Sequence, residues 1–326
     1  MFKGEKLYPL SFNVKQVVFE VCGVRFGGLP GFNPVVAVGS LFYIGDKKLI
    51  SADEGIIDKE ATIKEIEAAK KIAEEYGIAL AIDLIGNNVK VFENTLAFIV
   101  DTAEVPVFID APSPEIRIVG YKLAYEIGVN DKCIANGLFI NSPEEEYKAI
   151  RDYNIEASVI MGFDPAKAVS SLTPNARLKL LEEKLLPKAR SYGIDKLLLD
   201  AVVLDPSSIS LCGSAIRLFK DKLGLPSGAA PANALGVVSK KDFGVEGVVG
   251  ILGGSAVFMR LMGADFIFYG PLKRIKYVAP ALSMVDSLLG YLLRLEGTRL
   301  GKDHPLSRVL KRLHRLFSKT SVNWGW

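Results

Sequence analysis

From about residue 34 onward, short β-branched runs alternate with stretches of helical period, and no Gly/Ser-rich linker breaks the series. Strands are expected near 34–43, 78–84, 106–110, 132–136, 156–161, 196–203, 225–229 and 264–269, with a helix in each gap. Such alternation predicts a parallel sheet, because parallel neighbours need a crossover long enough to hold a helix. Eight units within 326 residues favour a closed α/β architecture, the (β/α)8 TIM barrel. A doubly wound open sheet is the alternative. It is weakened because no glycine-rich dinucleotide fingerprint follows an early strand, and "LGGSAVFMRLMG" lies late and reads as a closely packed helix.

Helix ends are written into several gaps. In Asp58–Tyr76, Asp58 is placed to cap the first turn, Ile63, Ile66 and Ile72 recur on one face, and Gly77 follows as the terminating residue. Ser142–Tyr153 begins "SPEEE", read as a serine cap, a proline at the first helical position and carboxylates facing the positive end of the helix dipole. Ser207–Leu223 and Arg274–Glu296 are the other clear helices. Two segments flank the barrel. Residues 15–26, "KQVVFEVCGVRF", alternate like a hairpin around Gly23 and are expected to plug the bottom of the barrel. Residues 299–326 form a basic amphipathic tail, with Leu306, Val309, Leu310, Leu313, Leu316 and Phe317 on one helical face and Arg308, Lys311, Arg312, Arg315 and Lys319 around it. The expected division is therefore a capping hairpin over 1–33, a barrel over 34–298 and the tail over 299–326.

A content of 49% hydrophobic and 24% charged residues is that of a globular chain with ample core. A net charge of +3 gives no argument for nucleic acid. Cys22, Cys133 and Cys212 are odd in number and far apart, which suits neither a disulfide framework nor a zinc spacing and points to a reducing cytoplasm. The first ten residues are mixed and do not read as a signal peptide. The apolar stretches Val245–Gly263 and Val278–Leu295 are interrupted by Arg260, Asp286 and Arg294, so they read as buried or half-buried helices rather than membrane spans.

In a (β/α)8 barrel the chemistry sits at the C-terminal ends of the strands. Those ends carry Asp83 (followed by Asn87 and Asn88), Asp110, Asn136, Asp164, Asp200 with Asp205, Asn233, and Tyr269 with Gly270. Asp164 and Asp205 read best as helix caps, since Asp and Asn favour that position. Asp83 is read as a further substrate-binding carboxylate. Asp110 and Asp200 end or interrupt apolar strands, where an ionised carboxylate is costly unless something hydrogen-bonds it. The two histidines, His304 and His314, both lie in the tail; no nucleophile elbow, strand-borne Schiff-base lysine or His/Cys cluster is present. Two chemistries remain: carboxylates around a hard cation such as Mg²⁺, or carboxylates and amides holding a nitrogen-rich heterocycle such as a pterin.

The fragments "FIDAPSPEIRIVGYKLAYEIGV", "ASVIMGFDP", "YGIDKLLLDAVV" and "ADFIFYGP" resemble, in consistent order over most of the chain, the H-subunit family of tetrahydromethanopterin S-methyltransferase, among the pterin-binding methyltransferase barrels. The resemblance implies an enzyme of one-carbon metabolism that moves a methyl group from N-5 of methyl-tetrahydromethanopterin, or of methyl-tetrahydrofolate, to a Co(I) corrinoid (cobalamin) carried by a partner protein. It implies that Asp110, Asn136 and Asp200 anchor the pterin and that Asn233 approaches the methylated nitrogen; "SGAAPANAL" departs from the family pattern around that asparagine. No metal held by this chain is expected. The implied partners are the corrinoid protein, other members of a methyltransferase complex and a second copy in a homodimer. The implied place is the cytoplasm, peripheral to a membrane complex. A Mg²⁺-dependent barrel lyase or aldolase, and a non-catalytic barrel component of a methyltransferase complex, are the competing readings.

Overall fold

A computed structural model describes residues 6–310. Eight parallel strands close into a barrel. They are β1 (Val36–Leu41), β2 (Ala79–Ile85), β3 (Val107–Asp110), β4 (Cys133–Leu138), β5 (Ala157–Met161), β6 (Leu197–Asp200), β7 (Ser227–Ala229) and β8 (Phe266–Pro271). Spatial order follows chain order, and β8 returns to pair with β1. The crossover helices are α1 (Lys59–Tyr76), α2 (Val89–Ala103), α3 (Pro114–Glu126), α4 (Glu144–Asp152), α5 (174–191, with a π-helical turn at Leu181–Leu185), α6 (Ser208–Lys222), α7 (Lys240–Leu261) and α8 (Ile275–Leu295).

The period of two along each strand sorts side chains into two cores. Ala37, Leu80, Ile82, Leu84, Val107 and Ile109 face the helices. Val36, Val38, Ala81, Phe108, Ile134, Val159, Leu198 and Phe266 fill the barrel interior. The bottom of that interior is closed by an antiparallel hairpin, Val18–Val21 with Val24–Gly27. Its Phe26 is fully buried, with ring centroids 6.2 Å from Phe108 and 6.5 Å from Phe266.

Several local signals act as the sequence indicates. Asp58 accepts a 2.9 Å bond from Ala61 N–H, and Gly77 ends α1 at φ 68°, a left-handed value that suits glycine. Others differ. Ser142 does not cap α4: Pro143 occupies the cap position, and the Ser142 hydroxyl turns back to accept the Phe139 N–H at 3.1 Å. The sixth strand stops at Asp200 instead of running to 203, because Val202 takes a left-handed φ of 57°.

Arg260 and Asp286 pair with each other at 2.6 Å, both buried. Asp286 also accepts the Val35 N–H at 2.8 Å, and Arg260 donates to the Asn33 carbonyl at 2.7 Å. Lys220 and Asp265 form a neighbouring buried pair at 2.7 Å. The helices carrying Arg260 and Asp286, Lys240–Leu261 and Leu272–Leu295, are nevertheless long and apolar enough to cross a membrane by length and composition. At the C-terminal side, His304 and Leu306 are buried, with His304 Nε2 2.9 Å from the Gly31 carbonyl oxygen. Of the apolar face expected for the tail, Leu313, Leu316 and Phe317 lie outside the described residues.

Candidate functional site

The parity that fills the barrel with Ala81, Phe108, Ile134 and Leu198 dictates what comes two residues later on the same inward face: Asp83, Asp110, Asn136 and Asp200. Parallel register then sets neighbours. Ser40 lies beside Asp83, and Asp110 lies beside Asn136. The interior thus changes from apolar to polar over one turn of the pleat, at the C-terminal rim. There the side chains line one cavity of about 280 Å³. All five residues singled out from the sequence, Asp83, Asp110, Asn136, Asp200 and Asn233, line it, together with Ser40, Arg117, Phe139, Met161 and Phe268.

The carboxylates are held by different partners. Asp83 is buried inside β2, which continues to Ile85, so it caps no helix; Asn88 caps α2 by accepting the Val91 N–H. Asp83 accepts from the Ser40 hydroxyl at 2.8 Å and from the Asn136 amide at 3.4 Å. Burial pushes its carboxyl up to about 6, against the opposing pull of those two donors. Asp200 is 3% exposed and accepts the Val202 N–H at 2.6 Å. Burial raises it to about 6 as well, while the Val202 N–H and the Arg177 charge act in the other direction. Asp110 is half-buried, and its carboxyl is raised well above the ordinary carboxylate range, first by loss of water and then by the nearby Asp83 charge. Asn233, in the short helix Pro231–Ala234 after β7, is exposed at the rim.

Asp164 and Asp205 each bond a backbone N–H of the turn that follows, although the cap position of α6 itself is Ser207, which makes no side-chain cap bond. Asp164 accepts the Ala166 N–H at 3.1 Å and lies outside the lining of this cavity. Asp205 accepts the Ser208 N–H at 2.8 Å at the start of α6. Among the described residues, no group of three or more His, Cys, Asp or Glu side chains is placed to share a metal ion.

Three residues that shape the site carry no sequence signal. Ser40 is the penultimate residue of an apolar strand, and its pairing with Asp83 follows only from register. Arg117 binds Glu146 through two nitrogens, at 2.6 and 3.1 Å, and donates to the Ala111 carbonyl at 2.8 Å, which fixes the turn after Asp110. Arg177 donates to the Val202 carbonyl at 3.2 Å and so braces the left-handed turn whose N–H meets Asp200. A set of acceptors, two amides and an aromatic wall, in a hollow of this size, is chemically suited to a flat heterocycle bearing N–H donors.

A family model described as tetrahydromethanopterin S-methyltransferase MtrH subunit matches residues 14–300. The curated H subunit of the tetrahydromethanopterin S-methyltransferase of Methanothermobacter thermautotrophicus is 29% identical over 314 residues, covering 92% of this chain and 99% of that protein. The H subunit of a putative mtx methyltransferase of Methanosarcina barkeri is 29% identical over 316 residues, with the same coverages of 92% and 99%. Among solved structures, a dihydropteroate synthase from Xanthomonas albilineans superposes with a TM-score of 0.60 at 14% identity, covering 84% of this chain and 98% of that one. The Yersinia pestis dihydropteroate synthase superposes with a TM-score of 0.58 at 12% identity, over 84% and 98%. At such identities the likeness establishes the barrel fold alone.

Proposed function

This chain belongs to the MtrH family of tetrahydromethanopterin S-methyltransferase, a family of methyltransferases, and from that premise we propose that its cavity holds a methylated tetrahydropterin and delivers the methyl group to a Co(I) corrinoid on a partner protein. The observation that carries the reading is the gathering of Asp83, Asp110, Asn136, Asp200 and Asn233 around one hollow at the C-terminal end of the barrel. Asp83, Asp110 and Asp200 accept from the 2-amino and ring N–H groups, and Asn136 meets an edge that both gives and takes. The substrate's donors then replace water as partners of the buried carboxylates, which offsets the cost of burying them.

In the transfer, the N5–CH3 bond breaks and a Co–CH3 bond forms from the cobalt electron pair. The electron pair of the broken bond stays on N5, which takes a proton from solvent. Co(I) is a strong nucleophile and needs no base. The difficulty is the leaving amine, and Asn233 at the rim hydrogen-bonds N5 as charge redistributes. The barrel otherwise orients the methyl group toward the acceptor. The site belongs to the barrel over residues 34–298, with the hairpin Val18–Gly27 closing its bottom. The enzyme works in the cytoplasm beside other members of a methyltransferase complex and peripheral to a membrane. Tetrahydromethanopterin is the favoured pterin, and tetrahydrofolate is the alternative donor.

Asp110→Asn and Asp200→Asn should each weaken methyl-pterin binding more than tenfold, about 1.4 kcal/mol or more, in a calorimetric titration. Asn233→Ala should lower the transfer rate more than the affinity. Near-wild-type behaviour of all three variants would refute the assignment.

A further inference from the structure

We propose that Arg274 is a specificity residue for the tail of the substrate, its guanidinium lying flat against the arylamine ring that a tetrahydropterin carries at C6. The inference rests on the pterin reading and extends it to a part of the substrate that the carboxylates do not hold. N5 and C6 are neighbouring ring atoms. With Asn233 bonded to N5, the C6 substituent leaves the cavity on the Asn233 side. That side is built small: Ala230, Ala232 and Gly270 line it. Across the barrel, the wall after β4 and β5 carries Phe139 and Met161.

The chain's own geometry sets Arg274 at this exit. The register between β8 and β1 shifts between Phe268 and Gly270, a bulge of the kind that re-aims a strand beside a site. Gly270 then takes φ 83°, a value that favours glycine. A β-carbon added there would lie 3.2 Å from the Ala232 β-carbon and 3.4 Å from Arg274 Nη1. The guanidinium therefore sits at the lip of the cavity, beside bare backbone, where the tail has to pass. The loop after β1 is close on the other side: burial raises the Tyr43 hydroxyl, and the Arg274 charge acts against that rise.

Among the described residues, Arg274 forms no ion pair and donates no side-chain hydrogen bond. The carboxylates that share its surroundings are engaged elsewhere. Asp46 and Glu65 bind Lys48 at 2.8 and 2.9 Å, and Glu65 also accepts the Lys273 N–H at 3.1 Å. A planar cation left free beside a substrate exit is suited to stacking on an aromatic ring. The arylamine ring follows C6 by a linker of one carbon and one nitrogen, so it meets Arg274 before any carboxylate or phosphate farther along the tail. Attraction to a cation grows as the ring gains electrons. A methanopterin ring bears an alkyl group opposite its nitrogen, whereas a folate ring bears an electron-withdrawing carbonyl. Arg274 thus favours the methanopterin type.

The test is calorimetric titration of the full chain with three ligands. The first is N5-methyl-tetrahydropterin with only a methyl group at C6. The second carries an alkyl-substituted anilinomethyl group at C6 and no anion. The third is methyl-tetrahydrofolate. The wild type should bind the second more tightly than the first. Arg274→Met and Arg274→Gln, each with an unchanged circular-dichroism spectrum, should weaken the second by about three- to fivefold. They should leave the first unchanged and cost the third less than the second. The proposal is overturned by an equal loss on the first two ligands or by no loss on the second. A greater loss on methyl-tetrahydrofolate overturns it too, since that would assign Arg274 to the tail carboxylates. A wild type that binds the first ligand and gains nothing from the ring sinks this inference alone; one that binds none of the three sinks the pterin reading with it.

Discussion

Asp200 sits at the last position of its strand, 3% exposed, with one backbone N–H as its direct donor. Its carboxyl is raised from the ordinary 3.8 to about 6, so the folded, ligand-free chain holds an extra proton between roughly pH 4 and 6. Stability tied to that proton is fully present at the acid end of the window and is lost as pH rises through about 6. Asp83 shares both the direction and the value. Three outcomes follow at this scale. Asp200→Asn should stabilise the ligand-free protein against urea at pH 7.5 by on the order of 2 kcal/mol, with the gain shrinking toward pH 4. The same substitution should weaken methyl-pterin binding, as set out above. Binding to ionised acceptors should also weaken below about pH 6, with proton release on binding when the titration starts at pH 5.5. An affinity flat from pH 5 to 8 would speak against ionised Asp200 and Asp83 as the acceptors.

Elements place these residues through register and through braces remote in sequence. Arg117 in α3 reaches Glu146 in α4 and the Ala111 carbonyl, and so ties two crossover helices to the turn after β3. Arg117→Ala leaves Glu146 buried without its cation and should cost ~3–5 kcal/mol in urea unfolding. It should also push the Asp110 carboxyl higher, because the Arg117 charge now lowers it. Much of this scale is readable from the chain itself. The eight strands follow from alternating apolar runs, α1 from Asp58 and Gly77, and the hairpin from alternation around Gly23. Inward parity makes Asp83, Asp110, Asn136 and Asp200 readable as a group, since each sits two residues after an interior apolar side chain. What cannot be read is tertiary. Ser142 has the right identity for a cap, yet its hydroxyl bonds Phe139 instead. The end of β6 depends on a left-handed Val202 braced by Arg177, and Ser40 meets Asp83 only through strand register. The Arg260–Asp286 pair joins two helices whose composition alone resembles membrane spans.

At the scale of the whole molecule, the polar rim rests on an apolar barrel interior closed from below by the hairpin. Phe26→Ala opens a cavity among Phe108, Phe266 and their neighbours and should cost ~3–5 kcal/mol, with little change in pterin affinity, since Phe26 lies at the opposite end of the barrel from the site. The C-terminal tail separates into two parts in the same terms. His304 and Leu306 are buried against the barrel, so removal of 299–326 would strip core contacts. Removal of 311–326 avoids that loss, and it should slow transfer to the corrinoid protein while leaving pterin affinity unchanged if the basic tail helps docking. The central claim, that this barrel passes a pterin-bound methyl group to cobalt, is tested most directly by stopped-flow mixing of the protein and a Co(I) corrinoid with methyl-tetrahydromethanopterin and, separately, with methyl-tetrahydrofolate. The account predicts enzyme-dependent conversion of Co(I) to methyl-Co(III) with at least one of them, faster with methyl-tetrahydromethanopterin and slowed in Asn233→Ala; absence of methyl-Co(III) formation with either donor, from a protein shown to be folded, would contradict it.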